Sequence, residues 1–391
     1  MPKPPPAHAH AHATMSNTTV VDDSPLGLST ATLSAGILGA LLFALVLYRA
    51  RKAGPTKVAV EHKVPEPEIQ SLDGFDWTTA RRNVFRPFKP IYHITMALTG
   101  VKPSELITVD EDYTKRVAER RRLYALHGNK VHGVIPDGRG AAAVRELYTY
   151  LLHDHLPRRF PTMFKLSPDG KEFTNVATGK VLLTTVPVTG DLAEDDRAAE
   201  AALVGLGETI EEDLFFLQKV GDTHQCVAFS CCFPSGFDPS EKLGLGLSAI
   251  HDPVPNYERI GPSMERFFSK MEVGKPFRRL NWSVQTHNEL YNNGSNHIHE
   301  DEDISNLQAK VDINTTNLRV EMQTLTRLPK TNALLFSFKT YLTPMTEVKA
   351  EGCGEVFADA IEGLAKGNAP GMWRYKAAIR WGPPVCQYLR S

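Results

Sequence analysis

Positions 26–48, from Leu26 to Tyr48, hold no charged residue. At 1.5 Å per residue, a helix of that length crosses a hydrocarbon core of about 30 Å. Ala35, Gly36, Gly39 and Ala40 suit such a helix, because small residues are common in membrane spans. A signal peptide needs positive charge ahead of its apolar run, yet Asp22 and Asp23 stand there. The positive cluster Arg49, Arg51 and Lys52 comes after it instead. The pattern therefore predicts one transmembrane helix with the bulk of the chain on the cytosolic side. Ahead of it, 1–25 is a proline- and histidine-rich tail with His8, His10 and His12; behind it, 49–75 is a linker broken by Pro55, Pro65 and Pro67.

From Trp77 onward the hydrophobic pattern is that of a globular domain, covering 76–391. Its first half reads as helical. The basic stretch Arg116 to Arg122 lies in a helix within 104–126, and Leu147, Leu151 and Leu152 predict a second over 141–155, stopped by Leu156-Pro157. Leu203, Leu206, Ile210, Leu214 and Leu217 predict a third over 198–219. The β-branched run 181–188 reads as extended. The second half turns to strands at 225–233 and 277–287, with a helix over 262–271 between them. Over 317–328, Leu318, Val320 and Met322 fall on one face and Arg319, Glu321 and Gln323 on the other. Pro329 to Asn332 is turn chemistry, and 333–342 is the partner strand of an antiparallel hairpin. A closing helix follows over 354–366. Between strands, 292–306 carries Glu300, Asp301, Glu302 and Asp303 and reads as an exposed insertion, with His297 and His299 in water. The expected class is α+β with an antiparallel sheet, preceded by one transmembrane helix.

Composition narrows the function classes. The chain has 391 residues, of which 42% are hydrophobic, which suits a packed globular domain. Its formal net charge of -1 gives no global field for nucleic acid. Five cysteines are few and odd in number, so a disulfide-stapled secreted domain is not expected. Cys226, Cys231 and Cys232 lack the C-x-x-C spacing of a cluster site and read as buried thiols. Lys242-Leu243-Gly244-Leu245-Gly246 is neither a P-loop nor a dinucleotide fingerprint. The face of Arg319, Glu321 and Gln323 is the most informative polar feature: either it lines a cavity, or it is the wet face of an edge strand.

A series of short segments carries a family resemblance. It runs through Phe88-Lys89-Pro90, Tyr92-His93-Ile94, Asp112-Tyr113, Leu156-Pro157-Arg158-Arg159-Phe160-Pro161, Glu211-Glu212-Asp213-Leu214 and Phe233-Pro234-Ser235. It continues through Ile250-His251-Asp252-Pro253-Val254-Pro255 and Arg279-Leu280-Asn281-Trp282 to Leu318-Arg319-Val320-Glu321-Met322-Gln323. Together these resemble the haem-dependent oxidative N-demethylase alpha-subunit-like family, known in fungi as the HRQ family, over roughly 85–364. Two features depart from its pattern: Met322, where arginine is expected, and the acidic insertion.

The resemblance implies a PAS-like α+β domain that binds haem b. It also implies oxidative demethylation of a small amine, using dioxygen and electrons from a separate reductase. A haem iron needs an axial ligand, a propionate anchor and an apolar slot. His251, stiffened by Pro253 and Pro255, is the first candidate for the ligand, with His287 and His224 in reserve. Arg319 is the candidate anchor, beside Glu321 as acceptor of an amine proton and Gln323 as a group orienting dioxygen or water. Arg279, Asn281 and Trp282 are candidates for the same pocket, Trp282 packing on haem or substrate or serving as plain core. A haem-based gas or redox sensor is the alternative, although no output module is apparent. A haem-free scaffold is the third reading.

Overall fold

A computed structural model describes residues 68–294, 296–298 and 311–391. The strands run in chain order as β1 (Thr99–Gly100), β2 (His132–Val134), β3 (Phe164–Leu166), β4 (Glu172–Asn175), β5 (Lys180–Leu183), β6 (Asp213–Val220), β7 (Thr223–Ser230), β8 (Phe277–Gln285), β9 (Asn317–Arg327) and β10 (Leu334–Pro344). Seven of them form an antiparallel sheet in the order β1-β8-β9-β10-β6-β7-β2, and β3-β4-β5 form a small second sheet. The class is α+β, with an antiparallel sheet and flanking helices, as the pattern predicts.

The hairpin of β9 and β10 lies at the centre of the large sheet. Its register pairs Arg327 with Leu334 at the turn and Asn317 with Pro344 at the far end. β8 lies on the other side of β9, so the Glu321 face is not the wet side of an edge strand. Because side chains alternate along each strand, the sheet has two distinct faces. On one, Leu214, Phe216, Val227 and Leu335 join helices Arg139–Thr149 and Leu192–Gly207 in a core. Further along that face, Trp282, Val284, Leu318 and Val320 pack with helices Gly354–Glu362 and Ala378–Arg390. The other face presents Phe215, Leu217, Leu325 and Phe338 to a third cluster containing Leu247, Tyr257, Met264 and Phe268.

Several boundaries differ from the sequence pattern. The helix expected over 198–219 is two elements, Leu192–Gly207 and β6. The chain breaks at Gly207, where any Cβ would lie 1.7 Å from the Tyr124 hydroxyl. Beyond it, Leu214 and Leu217 seem to continue a helical stripe only because β6 is apolar on both faces. The helix over 141–155 begins at Arg139 and passes through a wide π-turn, Tyr150–His155, into Leu156–Arg159. Pro157 does not stop it at once: it falls directly after the wide turn, and the helix continues to Arg159. A final helix, Ala378–Arg390, carries Pro383 and Pro384 inside it. Ile69 is buried and Leu72 and Phe75 pack on the core, so packing starts upstream of Trp77.

Among the described residues, no helix is long and apolar enough to cross a membrane. The run 26–48 expected to do so lies outside them, as does most of the acidic insertion.

Candidate functional site

A cavity of about 540 Å³ opens over the second face of the sheet, a size typical of small-molecule and cofactor pockets. Alternate residues of four strands form its floor: Arg279, Asn281 and Ser283; Glu321, Gln323 and Leu325; Phe336 and Phe338; Phe215 and Leu217. Its roof comes from the segment carrying His251, Val254, Tyr257 and Met264, and its side from Tyr92, Ile94, Tyr375 and Lys376. Aromatic rings dominate one end of the floor and polar groups the other.

Register alone brings the polar groups together. Asn281 is the cross-strand partner of Glu321, and Arg279 that of Gln323. Asn281 Nδ2 donates to Glu321 Oε2 at 3.2 Å, and Gln323 Nε2 donates to the same oxygen at 3.0 Å. Arg319 Nε lies 3.6 Å from Glu321 Oε1. Lys376 Nζ donates to Asn281 Oδ1 at 3.1 Å and to the Trp282 carbonyl. A carboxylate held this way has fixed orientation and keeps acceptor capacity on the cavity side.

Arg279 is different. It lines the cavity, its Nε is enclosed, and no hydrogen-bond partner reaches it. Burial pulls its pKa below the ordinary guanidinium value, against the opposing influence of Tyr92 and Glu321. A guanidinium stays charged even so, and an unpartnered buried donor costs free energy. The arrangement suits an anionic group arriving from outside the chain.

His251 hangs from the turn after the short helix Leu247–Ile250. Its Nδ1 lies 2.8 Å from the Leu247 carbonyl, and its ring stacks on Tyr257 with centroids 4.5 Å apart and planes within 2°. A carbonyl only accepts, so Nδ1 carries the proton and the Nε2 lone pair is the one left for a ligand. Burial lowers the pKa of this ring, the Leu247 bond opposes that, and the positive charges of Arg279 and Lys242 lower it further. The ring is held neutral at one angle, as a metal-ligating imidazole must be. Among the described residues, no group of three or more His, Cys, Asp or Glu could hold a bare metal ion. A haem iron asks only for such an axial imidazole together with a propionate anchor and an apolar slot. The residues fit that group.

Two expected site residues stand elsewhere. Arg319 is fully buried beneath the cavity floor, where it donates to the Phe233 carbonyl at 2.5 Å and to Gln285 Oε1 at 3.1 Å. It cannot meet a propionate, because it is closed off from the cavity and both its terminal nitrogens are spent on the protein; Arg279, one strand over, lines the cavity. Trp282 alternates to the opposite face and packs against Phe357 and Phe88 as core. Of the reserve histidines, buried His224 pairs with Glu265 Oε2 at 2.5 Å. His287 lies beside Asn292, Nε2 to Nδ2 at 2.9 Å, and accepts from the Glu289 N–H at 3.2 Å. His297, expected in water, lines the cavity and stacks on Tyr375 at 4.3 Å; His299 lies outside the described residues. Cys226, Cys231 and Cys232 are buried free thiols, as their spacing suggests, and burial raises the pKa of each.

The sequence pattern did not point to Lys376 or Tyr375. Both arrive from the C-terminal part of the chain, where Lys376 stands between Arg374 and Arg380 and nothing local sets it apart from them.

Residues 97–386 match the family described as haem-dependent oxidative N-demethylase, alpha subunit-like. The chain belongs to that family.

Proposed function

We propose that this member of the haem-dependent oxidative N-demethylase, alpha subunit-like family is a mono-oxygenase that removes a methyl group from a small amine. One observation carries the reading: a fixed, neutral imidazole and an unpartnered guanidinium line the same largely apolar cavity as a hydrogen-bonded carboxylate. His251 Nε2 would ligate the iron of a non-covalent haem b, since no C-x-x-C-H attachment motif exists in the chain. Arg279 would hold a propionate, the role that the sequence pattern assigned to Arg319. Bound there, the haem supplies an iron centre that activates dioxygen with two electrons.

The chain's own residues prepare the amine. Glu321 accepts an N–H from it and takes the proton that a cationic amine must lose before oxidation. Asn281 and Gln323 hold that carboxylate in place, so no side-chain reorganisation is needed as charge moves. Phe215, Phe336 and Phe338 keep water from the apolar end. The absence of a nucleotide fingerprint supports electrons arriving from a separate reductase. The antiparallel sheet with its cavity on one face supports a PAS-like reading of the domain. The run 26–48 and the basic residues after it support a membrane anchor with this domain on the cytosolic side.

The test uses the full-length chain reconstituted with haem. A Soret band is expected, with formaldehyde released when a methylamine, dioxygen and a reductant are supplied. His251→Ala should shift or abolish the band. A chain that stays colourless after reconstitution overturns the reading. A Soret band with no amine-dependent formaldehyde turns it toward a haem sensor.

A further inference from the structure

Lys376 is a lysine almost wholly removed from solvent, 4% exposed, on the wall of the cavity. Its ammonium lies 5.8 Å from the Tyr92 ring centre and 5.4 Å from that of Trp282, and donates to Asn281 Oδ1 at 3.1 Å and to the Trp282 carbonyl. Aromatic faces and an adjacent carboxylate are what a small ammonium seeks in a binding site. Here the protein fills that environment with a cation of its own.

The charge count around Glu321 makes this consequential. Arg319 Nε already stands 3.6 Å from Glu321 Oε1, and Lys376 is tied to Glu321 Oε2 through the Asn281 amide. One carboxylate thus answers two cations before any substrate arrives. Arg279, on the same floor, adds a third positive group, which a bound propionate would neutralise. A substrate ammonium entering beside Glu321 therefore brings an excess positive charge into a poorly solvated space, where it cannot be screened. Arg319 cannot give up its proton, but a lysine can.

We propose that a cationic amine and the Lys376 proton alternate at Glu321, so that each amine bound as a cation expels one proton from Lys376 to solvent. The exchange rests on the amine reading above and names the form of substrate that site takes. The balance is simple: a substrate ammonium enters, Lys376 Nζ passes from ammonium to amine, and one proton leaves, with no net change of charge in the cavity. The neutral Nζ keeps two N–H groups, enough for its bonds to Asn281 and the Trp282 carbonyl, so the exchange needs no rearrangement. The charges acting on Lys376 from neighbouring strands agree with this. Burial lowers its pKa to about 8, Glu321 on β9 resists, and Arg279 on β8 lowers it further. Tyr92 and Tyr375 complete its surroundings, and burial raises the pKa of both, so they stay neutral. Lys376 is thus poised to lose its proton near neutrality, whereas an ordinary alkylammonium, near pKa ~10, remains charged.

Dimethylammonium chloride is the probe, titrated calorimetrically into the haem-loaded full chain. Repeating each titration in two buffers of different ionisation enthalpy counts protons released. Near pH 7 about one proton should leave per cation bound, and near pH 9.5 almost none. Affinity should rise about tenfold per pH unit below 8 and then level off. Lys376→Met should bind with no proton release and lose the pH dependence. Lys376→Arg, which keeps a permanent charge, should bind weakly at every pH. Binding to the wild type without proton release at pH 7 overturns the exchange and leaves the amine site standing, whether or not the variants fold. No binding to the wild type at any pH overturns the amine site and the exchange with it.

Discussion

Replacing Arg279 with methionine should move two properties in opposite directions. The haem-free protein encloses the Nε of this guanidinium without a hydrogen-bond partner. Methionine keeps an unbranched apolar stem and removes the charge. The haem-free variant should therefore be as stable as the wild type or more so, because an unsatisfied buried donor costs about 1–3 kcal/mol. Haem affinity should fall. A hydrogen bond to a charged group is worth about 1.5–3 kcal/mol, and about 1.4 kcal/mol corresponds to tenfold. The expected loss is then roughly 10- to 150-fold in the haem dissociation constant. Soret titration of the haem-free protein measures the affinity, and thermal unfolding of the same preparation measures the stability. The reasoning is refuted if affinity stays within about twofold of wild type. It is refuted as well if haem-free stability and affinity fall together, since Arg279 would then be a structural residue whose loss damages the cavity.

Glu321→Gln should leave the Soret band intact and remove amine-dependent formaldehyde release, because the amide keeps the hydrogen-bonding shape but accepts no proton; sustained turnover would exclude Glu321 as the acceptor. On the opposite face, Lys339 Nζ lies 2.7 Å from both Asp110 and Glu211. Burial alone would depress its pKa, but these carboxylates outweigh burial and raise it. Lys339→Met strands both acids and should cost about 3–5 kcal/mol in chemical denaturation, a loss under 1 kcal/mol arguing that they are neutralised some other way. Gly140→Ala places a Cβ 2.2 Å from the Val227 carbonyl, where helix Arg139–Thr149 crosses β7. Overpacking of this kind should lower stability by about 1–3 kcal/mol, and an unchanged unfolding midpoint would mean the helix shifts freely.

Much of the sheet is legible in the chain because alternation is a local property. Arg319, Glu321 and Gln323 share a face as soon as 317–328 is a strand, and the turn at Pro329 to Asn332 makes its partner antiparallel. The same local signal misleads at 198–219, where an apolar stripe crosses from a helix into a strand buried on both faces, and the distant Tyr124 hydroxyl leaves no room for a side chain at Gly207, where the helix ends. The helix Ala378–Arg390 is hidden by Pro383 and Pro384, which local rules count against a helix and which packing overrides.

The residue types of the candidate site were likewise visible in the chain: an imidazole stiffened by prolines, and polar groups alternating along strands at 277–287 and 317–328. Which of two arginines faces the cavity was not. Arg279 and Arg319 both alternate toward the same side, but Arg319 lies near the end of β9, where the Phe233 carbonyl and Gln285 close over it, while Arg279 opens to the cavity. Lys376 reaches Glu321 from 55 positions away along the chain through the side chain of Asn281. Periodicity determines which face a side chain takes. Whether that face meets solvent, protein or an open cavity depends on segments distant in sequence, and only their packing decides it.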